Sequence, residues 1–466
     1  MEPGLLRLHP MSRAPLIYRL GILMVVASYA PAQFTRPRLL VTNLADSGPG
    51  SLRQAIAEAN AAPGADVIDF APGLTGAIAM ADGEMIITDS VTINGPGARL
   101  LTVNGNRASR VFHIEGPLTV TISGLTISNG LAQSTTASPG AGGGIAISGS
   151  TVNLSNLIVS SNIALAGLGG GIWLTTGTLN VANTILLGNQ AIGVDGNTVG
   201  GCIGCGLGGG LANVGGTLTV DGSMIAGNRA LGVNNGSGSV GGLGGGIYSS
   251  GPISISNTVF QQNVAQGGSG NIIQGNVVGT NTGGLGGGLY LGPASSYVTI
   301  TGSTFTGNQA IGGNNNLVGG NGAAGGGIYN GNTSTATNLT IQGSTFNGNQ
   351  ASAGTGGNGE GGGIALGTCL PCVVLVANTK IGGNRAAGGA GGSGEGGGIY
   401  NPAGSVLTVE ITSVANNAAQ GGTGGNGFGG GIYNLGTMRV DSATAITGNT
   451  ASTAGPNVYT PLLYLR

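Results

Sequence analysis

The run Gly286-Gly287-Gly288-Leu289-Tyr290, then Val298-Thr299-Ile300, then Phe305-Thr306-Gly307-Asn308, decides how this chain folds. A glycine triplet precedes Ile or Leu nine times, its last Gly at 144, 171, 210, 246, 288, 327, 363, 398 and 431. Alternating stretches follow, as in Leu179-Asn180-Val181, Leu218-Thr219-Val220, Leu339-Thr340-Ile341 and Leu407-Thr408-Val409. A period of two is strand alternation with one face buried. The third part is an apolar residue three positions before Asn, as in Phe260 to Asn263, Phe346 to Asn349 and Ile381 to Asn384.

Spacing turns these pieces into a topology. The last Gly and the Asn stay 17 to 22 residues apart (Gly171 to Asn189 is 18, Gly288 to Asn308 is 20), whereas Asn to the next last Gly ranges from 9 (Asn162 to Gly171) to 25 (Asn263 to Gly288). Each repeat therefore has a constant three-strand part and one elastic loop. A coil that closes once per repeat tolerates this, because the loop protrudes without disturbing its neighbours. Strands of successive coils then stack in parallel about 4.8 Å apart. The reading is an all-β fold, a right-handed single-stranded parallel β-helix. Ile145, Ile172, Leu211, Ile247, Leu289, Ile328, Ile364, Ile399 and Ile432 should fill its interior. The corner asparagines should stack as an amide ladder.

Composition agrees. The 466 residues include 101 Gly but only 17 Pro, and Gly is not every third residue, which excludes collagen. Hydrophobic residues make up 40% and charged ones 6%, which is not the balance of a charged disordered chain. A net charge of −1 gives no electrostatic footprint for nucleic acid.

Residues 1–32 read as an export signal: Arg13 and Arg19 flank the apolar run Leu20 to Ala27, and Ala30-Pro31-Ala32 is a small-x-small cleavage site before Gln33. Residues 33–115 read as an N-terminal cap and first coils, 116–455 as the repeat array and 456–466 as a tail. In the cap, Ser51 to Asn60 predicts a short helix with Leu52, Ala55, Ile56 and Ala59 on one face and Ser51 as its N-cap. A solenoid must cover its open end, and this helix is the expected lid. The mature chain has no segment of transmembrane length, so no integral membrane span is expected.

The stretch Val41-Thr42-Asn43-Leu44-Ala45-Asp46-Ser47-Gly48-Pro49-Gly50-Ser51-Leu52-Arg53-Gln54-Ala55-Ile56, with Gly64-Ala65-Asp66-Val67-Ile68-Asp69-Phe70 after it, resembles the CSLREA-type N-terminal region of bacterial surface proteins that often carry choice-of-anchor domains. Gly50 stands where that motif has Cys. The repeats resemble the Gly-Gly-Ala-Ile and Phe-x-x-Asn repeats of chlamydial polymorphic outer-membrane proteins, here mostly Gly-Gly-Gly-Ile and with Phe in three copies. Together the resemblances cover nearly the whole mature chain. They imply a right-handed β-helix at the cell surface or outside it, adhesin-like, with little implied biochemistry. Thr450 to Arg466 is too short for the translocating barrel of an autotransporter, so the resemblance leaves the mode of retention open.

Chemistry has few footholds. A uronate lyase needs acidic Ca²⁺ ligands and a base, and a hydrolytic β-helix needs clustered carboxylates. From Gly116 onward the acids are Asp195, Asp221, Glu360, Glu395, Glu410 and Asp441, none within a few residues of another. The best charged cluster is Asp82, Glu84, Asp89, Arg99, Arg107, Arg110 and Glu115, read as a salt-bridged surface near the cap. His113, the one histidine after the signal, sits in an alternating strand and is weighed as a catalytic base against a plain strand residue. Glu360 and Glu395 share the position before the glycine triplet, where Leu168, Leu207, Leu243, Leu285 and Phe428 stand elsewhere. Stacking them would raise one pKa or invite a cation; the alternative is two solvated loop carboxylates.

Cys202-x-x-Cys205 and Cys369-x-x-Cys372 look like zinc half-sites, but coils separate them, and local disulfides suit an exported protein. Trp173, Tyr248, Tyr290, Tyr329, Tyr400 and Tyr433 follow the buried Ile or Leu, and alternation points them outward as a stripe that could stack on sugars or pack as a ladder. The expected function is contact outside the cytoplasm with a glycan or protein, without cofactor or catalysis. The alternative is a pectate-lyase-like or glycan-binding β-helix.

Overall fold

The computed structural model describes residues 38–133, 140–165, 167–196, 198–199, 202–236, 241–271, 283–295, 297–316, 321–331, 337–367 and 372–460, without the side chains at 198, 199, 202, 203 and 337. The expected signal lies outside them. Residues 38–466 form one compact unit.

The chain winds as a right-handed parallel β-helix. Five parallel sheets of 12, 13, 12, 10 and 7 strands run along it, each built from one strand per coil. The coil that begins at Leu289 shows the order. Leu289–Leu291 lies in the first sheet, Tyr297–Thr301 in the second, Thr304–Thr306 in the third, Gln309–Ile311 in the fourth, and Ala323–Ala324 in the fifth. Register is strict: Leu289 pairs with Ile247 before it and Ile328 after it, and Phe305 with Phe260 and Phe346. The residue after each glycine triplet is fully buried, from Ile145 to Ile432. The three phenylalanines stack with ring centroids 4.5 and 4.8 Å apart, close to the strand repeat itself.

The constant part is longer than three strands. A fourth strand follows each Asn, and a two-residue fifth strand precedes most glycine triplets. The fourth was hard to see because its single inward residue is small: Ala191, Ala230, Ala265, Ala310, Ala351 and Ala386 are all buried there. Small residues are needed because the fifth strand lies directly against the fourth. The triplet passes over the fourth strand at the same place. A Cβ on Gly287 would lie 2.5 Å from the backbone of Gln309, one on Gly288 2.7 Å from the carbonyl oxygen of Gly327, and Gly286 has φ +65°. Each glycine in the triplet therefore answers a separate constraint.

Where the third sheet turns into the fourth, the asparagines form the expected ladder, running from Asn162 through Asn449 to Asn457. Asn308 shows the unit. Its Nδ2 donates to Phe260 O and to Asn349 Oδ1, both at 2.9 Å, while its own Oδ1 accepts from the backbone N–H and Nδ2 of Asn263 at 3.1 and 2.9 Å. A second ladder lies between the second and third sheets. The hydroxyls of Ser223, Thr258, Ser303, Ser344 and Thr379 each accept the backbone N–H of the preceding coil's Ser or Thr.

The helix spans Leu52–Ala61, buries Leu52, Ala55, Ile56 and Ala59, and is capped by the Ser51 side chain, which accepts from Gln54 N at 3.1 Å. It packs on the first strands, Leu39–Val41, Asp66–Phe70 and Met85–Ile87. Arg53 fixes it, pairing with Asp46 at 2.8 Å and donating to the carbonyl oxygens of Gly83 and Glu84. At the other end Val458–Tyr459, expected to begin a tail, pair with Ile432 and Tyr433 and add a strand. No helix among the described residues is long and apolar enough to cross a membrane.

Candidate functional site

The aromatic stripe is not an exposed platform. Tyr248, Tyr290 and Tyr329 are 4%, 2% and 9% exposed. They point away from the main core, as alternation requires, but the fifth strand folds over them. Leu207, Leu243 and Leu285 from that strand pack with these tyrosines, Ala212 and Ala365 into a second, smaller core. Trp173, Tyr400 and Tyr433 are partly exposed. The rings also stack on one another. Centroids are 5.2 Å apart for Tyr248 and Tyr290, 5.4 Å for Tyr290 and Tyr329, 5.6 Å for Tyr400 and Tyr433, and 5.4 Å for Tyr433 and Tyr459. Rings stacked in this way present edges to solvent and keep their faces for each other. At Tyr248, Tyr290 and Tyr329 the stripe is therefore a packed ladder rather than a face open to sugars, and the cause is the fifth strand, whose two residues leave no periodic signal in the sequence.

The ladder has one interruption on the Tyr248 to Tyr459 stretch. Tyr329 pairs in register with Ala365, and Ala365 with Tyr400. On the facing fifth strand of that same coil stands Glu360, in register with Ala324 before it and Glu395 after it. An aromatic ring is thus missing where a carboxylate enters the second core. Burial, and then the neighbouring Glu395 charge, push Glu360 up to about 7; burial raises Glu395 as well. Desolvation raises the hydroxyls of Tyr329 and Tyr400, and the Glu360 charge raises both further. Neither Glu360 nor Glu395 makes a side-chain hydrogen bond or ion pair with a described residue, and the two stand in register on adjacent coils. Both residues keep partial solvent exposure. Among the described residues no group of three or more His, Cys, Asp and Glu could hold a metal ion.

At the capped end the structure gathers only part of the expected charged cluster. Arg110, 4% exposed, pairs with Glu84 Oε2 at 2.9 Å and donates through Nε to the carbonyl oxygens of Ala141 and Gly142. His113 Nδ1 lies 3.4 Å from Glu84 Oε1, and its Nε2 4.0 Å from Glu115. The hydrogen bond from His113, and the Arg110 charge, hold Glu84 below the usual carboxylate range. Glu84, Ser109, Arg110, Leu131 and Gln133 line a shallow cleft of about 320 Å³. Asp89 accepts from Gly64 N, and the backbone N–H of Asp82 donates to Asp46, so these two serve the cap. Arg99 and Arg107 form no ion pair with a described residue. Arg110 joins three successive coils, which is a structural task. His113 and Glu84 have the elements of an oriented imidazole, and among the described residues the cleft's ionisable lining is Glu84 and Arg110.

Cys205 and Cys372 are both disulfide-bonded. Cys205 lies just before the fifth-sheet strand Gly206–Leu207 and Cys372 begins a second-sheet strand several coils further on, so they are not bonded to each other; the Cys202 side chain and Cys369 lie outside the described residues.

No protein-family model matches the chain, and no curated protein is similar to it in sequence. Among solved structures, tailspike protein 3 of bacteriophage CBA120 is 13% identical over 89% of this chain, at a TM-score of 0.36; this chain spans 59% of the tailspike's length. The catalytic domain of a GH87 alpha-1,3-glucanase in complex with tetrasaccharides is 11% identical over 91% of this chain and 68% of its own, at 0.32. The A-module of the mannuronan C-5 epimerase AlgE4 of Azotobacter vinelandii is 11% identical over 90% of this chain and 99% of its own, at 0.31. Likeness this slight assigns neither substrate nor activity.

Proposed function

We propose that this chain is an exported β-helical rod that acts by contact outside the cytoplasm, at the cell surface or released from it, with a glycan as its partner. One observation carries the reading. The outer face of the second sheet repeats uncharged hydroxyl and amide side chains in register, from Thr121 through Asn153, Asn180, Thr219, Ser254 and Thr299 to Thr340. A surface with the same chemistry on seven successive coils, before Leu375 interrupts it, suits a polymer with a repeating, hydroxyl-rich face. Such contact is multivalent, so its strength grows with the number of coils engaged. The resemblance of the cap to CSLREA-type surface proteins and the signal-like residues 1–32 support export.

The test is a coil deletion. Removing residues 247–288, one full repeat, rejoins Gly246 to Leu289 in the same register. Binding of the full chain and the deletion to envelope polysaccharide should differ by several-fold, with weak dependence on salt. Equal binding would remove the multivalent reading. Protease shaving of intact cells, with the medium assayed in parallel, tests export.

A second reading is supported by the paired carboxylates. Glu360 and Glu395 stand on adjacent coils, and one of them holds its proton near neutral pH, as a general acid must. In that reading the chain is carbohydrate-active, and new reducing ends would appear in a glycan incubated with it.

A further inference from the structure

Directly after the fourth strand, three successive coils carry glycine. Gly193 follows Gln190–Ile192, Gly232 follows Arg229–Leu231, and Gly267 follows Val264–Gln266. The three stand in register, since Gly193 N donates to Leu231 O and Gly232 N to Gln266 O. With no side chains at these positions, a cleft of about 350 Å³ opens on the outer side of the fourth sheet. Ile192 and Leu231, paired across adjacent coils, and Val233 give it an aliphatic side. Arg229, Asn234 and Gln266 are its polar lining, which thus holds one cation and no acid.

Arg229 is exposed, and its guanidinium makes no ion pair or hydrogen bond with a described residue. Its neighbours in register, Gln190 and Val264, carry no charge. Arg385, four coils further along the same column, is instead tied to Gln420 at 2.6 Å. Asn234 Oδ1 accepts from Ser269 N at 2.8 Å, so its Nδ2 remains to donate. The Gln266 amide makes no side-chain hydrogen bond with a described residue. Asp195, three residues beyond Ile192, sits against Gly236, where an added Cβ would stand 2.9 Å from its Oδ1, and it does not line the cleft.

We propose that this cleft is a subsite for one hexuronate unit of an acidic polysaccharide. The charge decides the class. A lone guanidinium in a lining without acids favours an anion, and its planar fork matches a carboxylate through two parallel hydrogen bonds. An amine-bearing sugar would be repelled, and a neutral one would leave the cation with water alone. Ile192, Leu231 and Val233 take the C–H face of the ring, while the amides of Asn234 and Gln266 reach its hydroxyls. The volume lies at the small end of ligand pockets, which suits one sugar unit with the polymer running on beyond it. The assignment rests on the glycan-contact reading and adds to it a charge-selective point, on a different sheet from the hydroxyl face.

The experiment is calorimetric titration of the full chain with a tetragalacturonate, its fully methyl-esterified counterpart and a neutral tetrasaccharide carrying sulfate esters. The ester keeps the shape and removes the charge. The free acid should bind at least tenfold more tightly than the ester and more tightly than the sulfated oligomer. Arg229→Gln should lower affinity for the acid to that of the ester and leave the ester unaffected. Arg385→Gln, in the same column but outside the cleft, should change neither; unchanged thermal midpoints show that both variants fold. Equal binding of acid and ester, or wild-type affinity for the acid in Arg229→Gln, overturns the subsite, and tighter binding of the sulfated oligomer overturns its assignment to a carboxylate. If the acid fails to bind while envelope polysaccharide still does, the subsite falls and the contact function stands; if neither binds, both fall.

Discussion

Replacing Asn349 by Ala removes one rung of the buried amide ladder, and its consequence can be worked bond by bond. The Asn349 side chain makes four hydrogen bonds. Its Oδ1 accepts from the backbone N–H of Asn308 at 3.0 Å and from Asn308 Nδ2 at 2.9 Å. Its Nδ2 donates to Asn384 Oδ1 and to the carbonyl oxygen of Phe305, both at 2.9 Å. Not all are orphaned by the change. Asn308 Nδ2 keeps Phe260 O, and Asn384 Oδ1 keeps the backbone N–H of Asn349. The Phe305 carbonyl keeps its place in the strand ladder, whereas the Asn308 N–H loses the partner the side chain supplied, in a site with no solvent access. At about 1–3 kcal/mol for a buried group left unsatisfied, the loss is about 1–3 kcal/mol. Chemical denaturation of the wild type and variant, with slopes compared, reads it directly. Asn349→Asp should be worse, since a carboxylate cannot donate to either acceptor. Asn449→Ala, near the open end and slightly exposed, should lose less. An unchanged midpoint in Asn349→Ala would refute the ladder as a source of stability.

Three further outcomes follow from the same packing. Because Glu360 is raised from 4.5 to about 7 in the folded chain, its proton stabilises the fold below about pH 4.5, and that contribution, at most about 3 kcal/mol, is lost as pH rises to about 7; Glu360→Gln should flatten thermal midpoints between pH 5 and 8, and an unaltered pH profile would count against the buried pair. Tyr290→Ala should destabilise by about 3–5 kcal/mol as a core truncation, whereas Tyr297→Ala, 72% exposed, should stay within about 0.5 kcal/mol; equal midpoints would return the tyrosines to the surface. Cys202 should be linked to Cys205 and Cys369 to Cys372 in exported protein, and a non-reduced peptide map showing a cross-link between the pairs would contradict this.

Much of the fold is legible in the residues, for a physical reason. A coil must return to the same place, so its interior residues, its Asn corner and its glycine triplet recur at fixed intervals, and only the outward loop varies. Ser51 and the face Leu52, Ala55, Ile56 and Ala59 were equally plain, because a helix period differs from a strand period. What stayed hidden was the fourth and fifth strands. Ala at the fourth strand's inward position carries almost no periodic signal, and a strand of two residues carries none. That omission had a functional consequence. Without the fifth strand, Tyr290 reads as a surface residue; with it, Tyr290 is core, and the place of interest moves to Ala365, where the ladder breaks. The pairing of Glu360 with Glu395 was visible from their shared repeat position, but their placement opposite a missing tyrosine was not. The hydroxyl ladder of Thr184, Ser223, Thr258 and Ser303 was also missed, since Ser and Thr between strands read as ordinary turn residues.

The central claim is that the rod binds a glycan and leaves it intact. The most direct measurement follows one polysaccharide preparation that the protein captures, scoring bound mass and new chain ends in the same samples over time. The account predicts saturable, reversible capture, with chain ends constant from the first sample to the last. Chain ends that rise steadily with wild-type protein, and stop rising in Glu360→Gln or Glu84→Gln, would contradict it and make the chain an enzyme.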